Sequence, residues 1–307
     1  MTQLSSEQLQ TFATVLSEGT LEAAARLLHI TPSAVSQRLK ALEQSTGRVL
    51  LQRSNPALAT EAGEVVLRLA RQVAQLVADA GKELGLDGDR PRLAVPIVVN
   101  ADSLAVWFLK ALARVPGNLN VTFDLHRDDE QHSTSLLRSG TVMAAVTATP
   151  DPVQGCRVES LGTMRYLPVA APHFVDRWFP DFPEGLDGAA LNTAPTVDFD
   201  RKDTYQWAFV RSRLQAEGKP LPERKGPRHY VPASQDFGDA IRLGLGWGLI
   251  PEVQCGPDIA DGRLIELAPE QPFDVPLYWQ RWRTASSVLD TLSETVREVS
   301  AQYLRTP

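Results

Sequence analysis

The sequence predicts an α/β chain in three parts: a small N-terminal helical module over residues 1–60, a linker helix over 61–85, and a two-lobed α/β domain beyond. Three observations carry that prediction. Residues 21–46 hold two short helical patterns separated by a tight turn, each with its own capping signal. Residues 61–84 hold one unbroken amphipathic pattern. Beyond residue 92, strand-like and helix-like runs alternate in the βαβ rhythm of a sheet flanked by helices. At 307 residues, 43% hydrophobic and 22% charged, the chain is long enough for two or three compact units and has the composition of a soluble globular protein.

The first helix opens on Ser5-x-x-Gln8, a capping-box pattern, and puts Leu9, Phe12, Val15 and Leu16 on one face before Gly19 stops it. Thr20 caps the second helix, in which Leu21, Ala24, Ala25 and Leu28 share a face. His29 and Ile30 break the pattern. Thr31 then caps a third helix with Pro32 at its first position, where a missing N–H costs nothing. Val35, Leu39 and Leu42 are spaced to face inward, and Ser33, Ser36, Gln37 and Lys40 to face outward. Short hydroxyls, an amide and an ammonium can approach base edges and phosphates without steric block, so the third helix reads as a DNA recognition helix. Thr31, Pro32 and Arg38 belong to the same DNA-binding set.

Residues 47–60 suit a short β-hairpin, the wing of a winged helix-turn-helix. Arg48 and Arg53 lie either near backbone phosphates or on an ordinary charged surface. The whole chain has a formal net charge of -6, which argues against coating nucleic acid non-specifically. From Thr20 to Thr60 the balance reverses to +3, with Arg26, Arg38, Lys40, Arg48 and Arg53 against Glu22 and Glu43. Site-specific binding needs such a local basic surface.

Val66, Leu69, Val73, Leu76, Val77, Ala80 and Leu84 trace an apolar stripe along the linker helix that one small neighbouring domain would not cover. A second copy of the helix is its expected partner, with packing against the chain's own C-terminal part as the alternative. Gly85, Gly88 and Pro91 then mark a flexible break. Strands are predicted at 93–99, 119–125, 142–146, 165–171, 196–199, 229–231, 247–250 and 277–283. Helices are predicted at 103–113, 133–138, 204–216, 237–245 and 286–304. Residues 92–163 and 269–304 form lobe I and 164–268 form lobe II, joined by two crossings. Small ligands bind such sheets beyond the carboxyl ends of the strands and between lobes.

The residues quoted above carry a family resemblance. AAARLLHITPSAVSQRLKALEQSTGRVLLQR closely matches the DNA-binding signature of LysR-type transcriptional regulators, and the whole chain resembles that family. PSAVSQRLKALE with VNADSLAVWFLKAL resembles the family's LysG/ArgP branch, as do DDE at 128–130, APTVDFD at 194–200 and PLYWQRW at 276–282. The resemblance implies a winged helix-turn-helix, a linker helix and a two-lobed, periplasmic-binding-protein-like α/β effector domain. It further implies double-stranded promoter DNA and a small effector, lysine or arginine, as partners, control of basic amino acid export, and homodimers through the linker helix or homotetramers.

It also sets Asn100, Asp102 and Ser103 at the junction of the first effector strand and its following helix. Free N–H groups and a hydroxyl at a helix start can cradle a carboxylate, so Ser103 is a candidate for the effector's α-carboxylate, with simple N-capping as the alternative. Asp102 would repel a carboxylate and attract an α-ammonium. Thr147 occupies a similar rim position. A cationic side chain needs anions, for which Asp128, Asp198 and Asp200 stand at strand ends expected to face the same cleft. Ser234 and Asp236 precede a lobe II helix, either capping it or touching ligand.

Other classes find less support. His126, Asp128, Asp129, Glu130 and His132 cluster, but without metal-ligand spacing, and no metal is expected. No nucleotide, hydrolase or dinucleotide fingerprint occurs, so neither a cofactor nor an enzyme activity is expected. The N-terminus lacks a signal-peptide pattern, no run of apolar residues is long enough for a bilayer, and Cys156 and Cys255 show no pairing pattern. A cytoplasmic protein without membrane contact is expected. A LysR-type regulator answering to a different effector, or a solute-binding protein with an accessory helical domain, remains the alternative.

Overall fold

The computed structural model describes residues 4–52, 54–84, 92–127, 130–284 and 286–306. Its N-terminal module follows the predicted capping chemistry. Helix α1 (Ser6–Glu18) opens with the Ser5 N–H donating to Gln8 Oε1 at 3.4 Å and ends at Gly19 in the left-handed region, φ 75°. Helix α2 (Leu21–Leu27) has its Ala23 N–H on Thr20 Oγ1 at 3.2 Å. Helix α3 (Pro32–Thr46) has its Ala34 N–H on Thr31 Oγ1 at 3.1 Å. Leu9, Phe12, Val15, Ala24, Ala25, Val35, Leu39 and Leu42 make one core, and Val66, Leu67 and Ala70 from the linker helix complete it. The wing is real: β1 (Leu51–Gln52) pairs antiparallel with β2 (Leu58–Ala59).

Linker helix α4 spans Glu61–Glu83. The expected stripe divides. Val66 is buried against the N-terminal core and Val73 packs partly against it, whereas Leu69, Leu76, Val77, Ala80 and Leu84 are exposed, as is Val65 outside the stripe. A 23-residue helix crosses more than one neighbour, so a single apolar face is recruited piecewise. The break expected at Gly85, Gly88 and Pro91 lies outside the described residues.

The remainder divides with the N-terminal segments into two compact units, 1–99, 115–159 and 279–294 against 100–114, 160–278 and 295–307. In the first unit β3 (Leu93–Val99) lies parallel to both β4 (Val121–Arg127) and β5 (Ala144–Thr147), with α6 (Glu130–Ser139) between the latter two in sequence. Val95, Ile97, Val98 and Val99 are fully buried, as a parallel strand covered on both faces requires. The last strand, β11 (Phe273–Trp282), joins beside β5, with the Trp282 N–H on the Met143 carbonyl, and α12 (Ser287–Ser300) follows.

The second unit departs from a purely parallel plan. Strand β6 runs Cys156–Ala170, starting well before the expected residue 165, and pairs antiparallel with β9 (Gly248–Pro251) and β10 (Ile265–Glu266). A parallel pair, β7 (Thr196–Asp198) with β8 (Arg228–Tyr230), lies beside the start of β9, with the Val197 N–H on the Trp247 carbonyl at 2.9 Å. Helices α7 (Pro172–Trp178), α8 (Gly188–Thr193) and α11 (Glu252–Ala260) were not predicted, being short or interrupted by proline; α9 (Tyr205–Ala216) and α10 (Ser234–Arg242) were. The chain passes between these units five times, because α5 (residues 101–112) and the segment after Glu294 group with the second unit. Strands β6 and β11 each belong to both.

Gly63 shows how tightly the linker helix closes on the wing. A Cβ there would lie 2.1 Å from the Leu50 carbonyl oxygen, an atom already accepting the Thr60 N–H. Gly63→Ala is therefore expected to destabilise the N-terminal module by about 1–3 kcal/mol, since overpacking forces the backbone to shift. Hydrogen exchange resolved to residues 4–70 checks this; unchanged protection there would contradict the packing.

Candidate DNA interface and effector site

Helix α3 delivers its polar stripe to solvent as the spacing requires. Ser33, Ser36, Gln37 and Lys40 are exposed, while Val35, Leu39 and Leu42 on the opposite face are buried. Thr31 and Pro32 are exposed at its start, and Arg48 is exposed at the base of the wing. Arg38 differs. Its guanidinium turns back to Glu7 Oε2 at 3.0 Å and Thr11 Oγ1 at 3.4 Å on α1, so it braces two helices rather than offering a free cation to phosphate. Arg53 lies outside the described residues.

The effector candidates converge less evenly. Asn100, Asp102 and Ser103 sit where β3 hands over to α5, a helix that widens into a π-turn at Leu104–Phe108. Such turns recur at functional sites. Asn100 and Ser103 are 7% and 0% exposed, and neither Asn100 Oδ1 nor Ser103 Oγ has a hydrogen-bond partner. Ser103 is thus not an N-cap. Trp107, on the next turn of the same helix face, leaves its buried indole N–H unpartnered as well. Buried polar atoms without partners are costly and call for water or ligand.

Asp102 is the centre of the arrangement. Tyr166 on β6 donates its hydroxyl to Asp102 Oδ2 at 2.8 Å, and Ser234 at the start of α10 donates to Oδ1 at 2.7 Å. Gln254 Nε2 approaches Ser234 Oγ at 3.5 Å. Among the described residues no lysine or arginine pairs with this carboxylate. Burial pushes its pKa above the usual carboxylate range, against the lowering effect of the two hydroxyls. The sequence reading did not single out Tyr166, the one aromatic of its strand. Its ring meets Tyr205 edge-on at 5.5 Å, and Tyr205 meets Phe273 at 5.3 Å, so an aromatic wall stands behind the hydroxyl.

The remaining candidates are engaged otherwise. Asp198 is fully buried, and its oxygens are taken by Arg224 at 2.9 Å and by Arg228. It is already neutralised, an internal ion pair and not the expected ligand contact. Asp200 Oδ1 accepts the N–H groups of Lys202 and Asp203 at 2.7 and 3.0 Å, shaping its own turn. Thr147 is buried in the first unit; its hydroxyl donates to the Thr149 carbonyl and accepts from Gln280, both at 3.2 Å, which corrects its expected rim position. Ser234 neither caps nor stands free, since it holds Asp102. Asp236 is exposed on the first turn of α10. Asp128 lies outside the described residues.

An exposed polar recognition helix in a winged helix-turn-helix, attached to an α/β domain holding a carboxyl that no described lysine or arginine pairs, defines a DNA-binding regulator with an effector domain. The chain belongs to the LysR family: residues 6–64 match the bacterial regulatory helix-turn-helix protein, lysR family, and residues 88–301 match the LysR substrate binding domain. It is 42% identical over 298 residues to the lysine export transcriptional regulatory protein LysG of Corynebacterium glutamicum, covering 97% of this chain and 98% of that protein. The crystal structure of ArgP from Mycobacterium tuberculosis is similar with a TM-score of 0.83 at 40% identity, covering 99% of this chain and 100% of that one. Full-length LysG from C. glutamicum with bound effector Arg is similar with a TM-score of 0.74 at 40% identity, covering 98% and 99%. Among the described residues no helix is long and apolar enough to cross a membrane.

Two outcomes follow from this geometry. Ser36→Ala or Gln37→Ala is expected to weaken binding to a specific promoter site by about 1–3 kcal/mol for each hydrogen bond to a base that the substitution removes, read by quantitative footprinting; unchanged affinity excludes the side chain from base reading. Asp102→Asn is expected to raise the melting temperature of the ligand-free protein at neutral pH. A carboxyl whose folded pKa is raised costs stability when ionised, and that cost is relieved as pH falls from the raised pKa towards the unfolded value of about 3.9. The gain should therefore shrink with acidification; a variant less stable than the parent at pH 7 contradicts it.

Proposed function

We propose that this chain is a transcriptional regulator that senses a free basic amino acid, arginine or lysine, and controls a gene for basic amino acid export. The observation that carries the effector reading is Asp102, a carboxyl held by two neutral hydroxyls with no lysine or arginine beside it among the described residues. A ligand ammonium supplies the missing counter-charge through a charge-assisted bond. Asn100 Oδ1 can accept from the same ammonium, and the Ser103 hydroxyl can donate to the α-carboxylate, which satisfies two buried atoms that lack partners. The wall of Tyr166, Tyr205 and Phe273 offers a ring face suited to a guanidinium or an alkyl-ammonium stem. Asp236, exposed two residues beyond Ser234, remains the acidic candidate for the side-chain cation.

LysG of C. glutamicum supports the chemistry chosen: it is a lysine export regulator, and one of its structures holds bound arginine. The assembly proposed is a homodimer through α4, whose exposed Val65, Leu69, Leu76, Val77 and Leu84 need a partner, with a homotetramer built from such dimers. A ligand changes DNA binding only through its differential affinity for two arrangements of the protein. Ligand binding in the second unit can reach the first through β6 and β11, the strands common to both.

Calorimetric titration with arginine, lysine, histidine and neutral amino acids tests the reading. Arginine or lysine is expected to bind tightest, and Asp102→Asn to weaken it by about tenfold or more, the value of a charged hydrogen bond. Ser103→Ala should cost affinity for arginine but little for argininamide, which lacks the carboxylate. A neutral amino acid binding best would overturn basic amino acid sensing.

A further inference from the structure

Effector binding gives Asn100, Asp102 and Ser103 a role and leaves the indole of Trp107 without one. Trp107 is 1% exposed, and its Nε1–H has no hydrogen-bond partner. A buried donor left without an acceptor is costly. Other buried indoles of this chain avoid that cost. Trp247 Nε1 donates to the Leu191 carbonyl at 3.2 Å, and Trp279 Nε1 donates to Ser293 Oγ at 2.9 Å. Trp282 Nε1 is also unpartnered, but it belongs to the first unit, whereas Trp107 groups in the second with Asp102, Tyr166 and Ser234.

Trp107 follows Ser103 by four residues on α5, so the two side chains leave the same face of the helix. That face is buried, and Ala105 and Leu109 are exposed on the other side. The π-turn at Leu104–Phe108 widens this turn by less than one residue, too little to separate the pair. Helical side chains lean towards the N-terminus, and a long one covers the turn before its own Cα. The indole of Trp107 is therefore directed back over the turn that holds Ser103, whose buried hydroxyl also lacks a partner. An indole N–H donates and has no acceptor capacity, so neither an ammonium nor a guanidinium satisfies it. In a free basic amino acid the acceptors are the two oxygens of the α-carboxylate. Ser103 takes one of them, and Trp107 lacks an acceptor of the same kind.

Given arginine or lysine as the effector, on which this step rests, we propose that the Trp107 indole N–H donates to the second oxygen of the effector's α-carboxylate. Ser103 and Trp107 then clasp the carboxylate at two points, while Asp102 receives the α-ammonium. Such a clasp selects free amino acids over their decarboxylated amines, which leave both buried donors unpaired.

Nuclear magnetic resonance of the full chain, labelled with nitrogen-15 at the indoles of its six tryptophans, tests the clasp. The Trp107 signal is the one missing from Trp107→Phe. If that variant does not fold, the signal is identified by substituting the other five tryptophans one at a time. Arginine is expected to move the Trp107 indole proton downfield, as entry into a hydrogen bond to a carboxylate does. Agmatine, which is arginine without its carboxylate, should leave it in place. By calorimetry, Trp107→Phe should weaken arginine binding about tenfold or more, the value of a hydrogen bond to a charged group. Arginine bound with the Trp107 signal unmoved overturns the clasp and leaves basic amino acid sensing standing, and so does an equal downfield shift with agmatine. A parent protein that binds neither arginine nor lysine overturns both.

Discussion

A carboxyl withdrawn from water without a counter-ion is expensive to ionise, and the second unit holds one at the start of α5, with no lysine or arginine beside it among the described residues. Asp102 retains its position because hydroxyls from β6 and α10 each take one of its oxygens. Neutral donors soften the cost of desolvation but do not cancel the charge. Chain segments 64 and 132 residues away must converge for this to hold, so the packing of strand, tyrosine and helix start is organised around one carboxylate. The unpartnered oxygens of Asn100 and Ser103 beside it repeat the same deficit in neutral form. Structures break local rules mainly where function needs it, and here three breaks fall within four residues.

Asp198 is the instructive contrast. It is an aspartate at the end of a strand, and it is buried more completely than Asp102. The fold gives it two guanidiniums, Arg224 and Arg228, and these in turn hold Thr196 and the Asp203 carbonyl. A network closed on itself fixes the β7–β8 pair and leaves no valence for a ligand. The same side chain therefore serves architecture in one place and stands open in another. The two guanidiniums beside Asp198 set it apart from Asp102.

Local signals were legible in the sequence to the extent that they were local. Thr20, Thr31, Pro32 and Gly19 mark helix ends by chemistry that acts over three or four residues, and α1, α2 and α3 begin and end where they direct. The outward stripe of Ser33, Ser36, Gln37 and Lys40 was readable for the same reason. What escaped was set by contacts across long sequence separation. The pairing of Asp198 with arginines 26 and 30 residues on, the bracing of Arg38 by Glu7, and the role of Tyr166 leave no periodic trace. The linker helix lies between these cases: its amphipathicity was plain, but its division among a buried core face, hydrogen bonds to Gly140, Thr141 and Ser287, and an exposed apolar face depends on neighbours that one-dimensional spacing does not reveal.

Effector sensing stands or falls with Asp102 as the receptor for a ligand cation. A crystal structure of the protein with bound arginine measures that contact directly. The expected result is an α-ammonium nitrogen at about 3 Å from the Asp102 carboxylate, the normal span of a charge-assisted hydrogen bond, with Tyr166 and Ser234 still holding the same oxygens. Arginine found elsewhere, with Asp102 facing only its two hydroxyls, would contradict it.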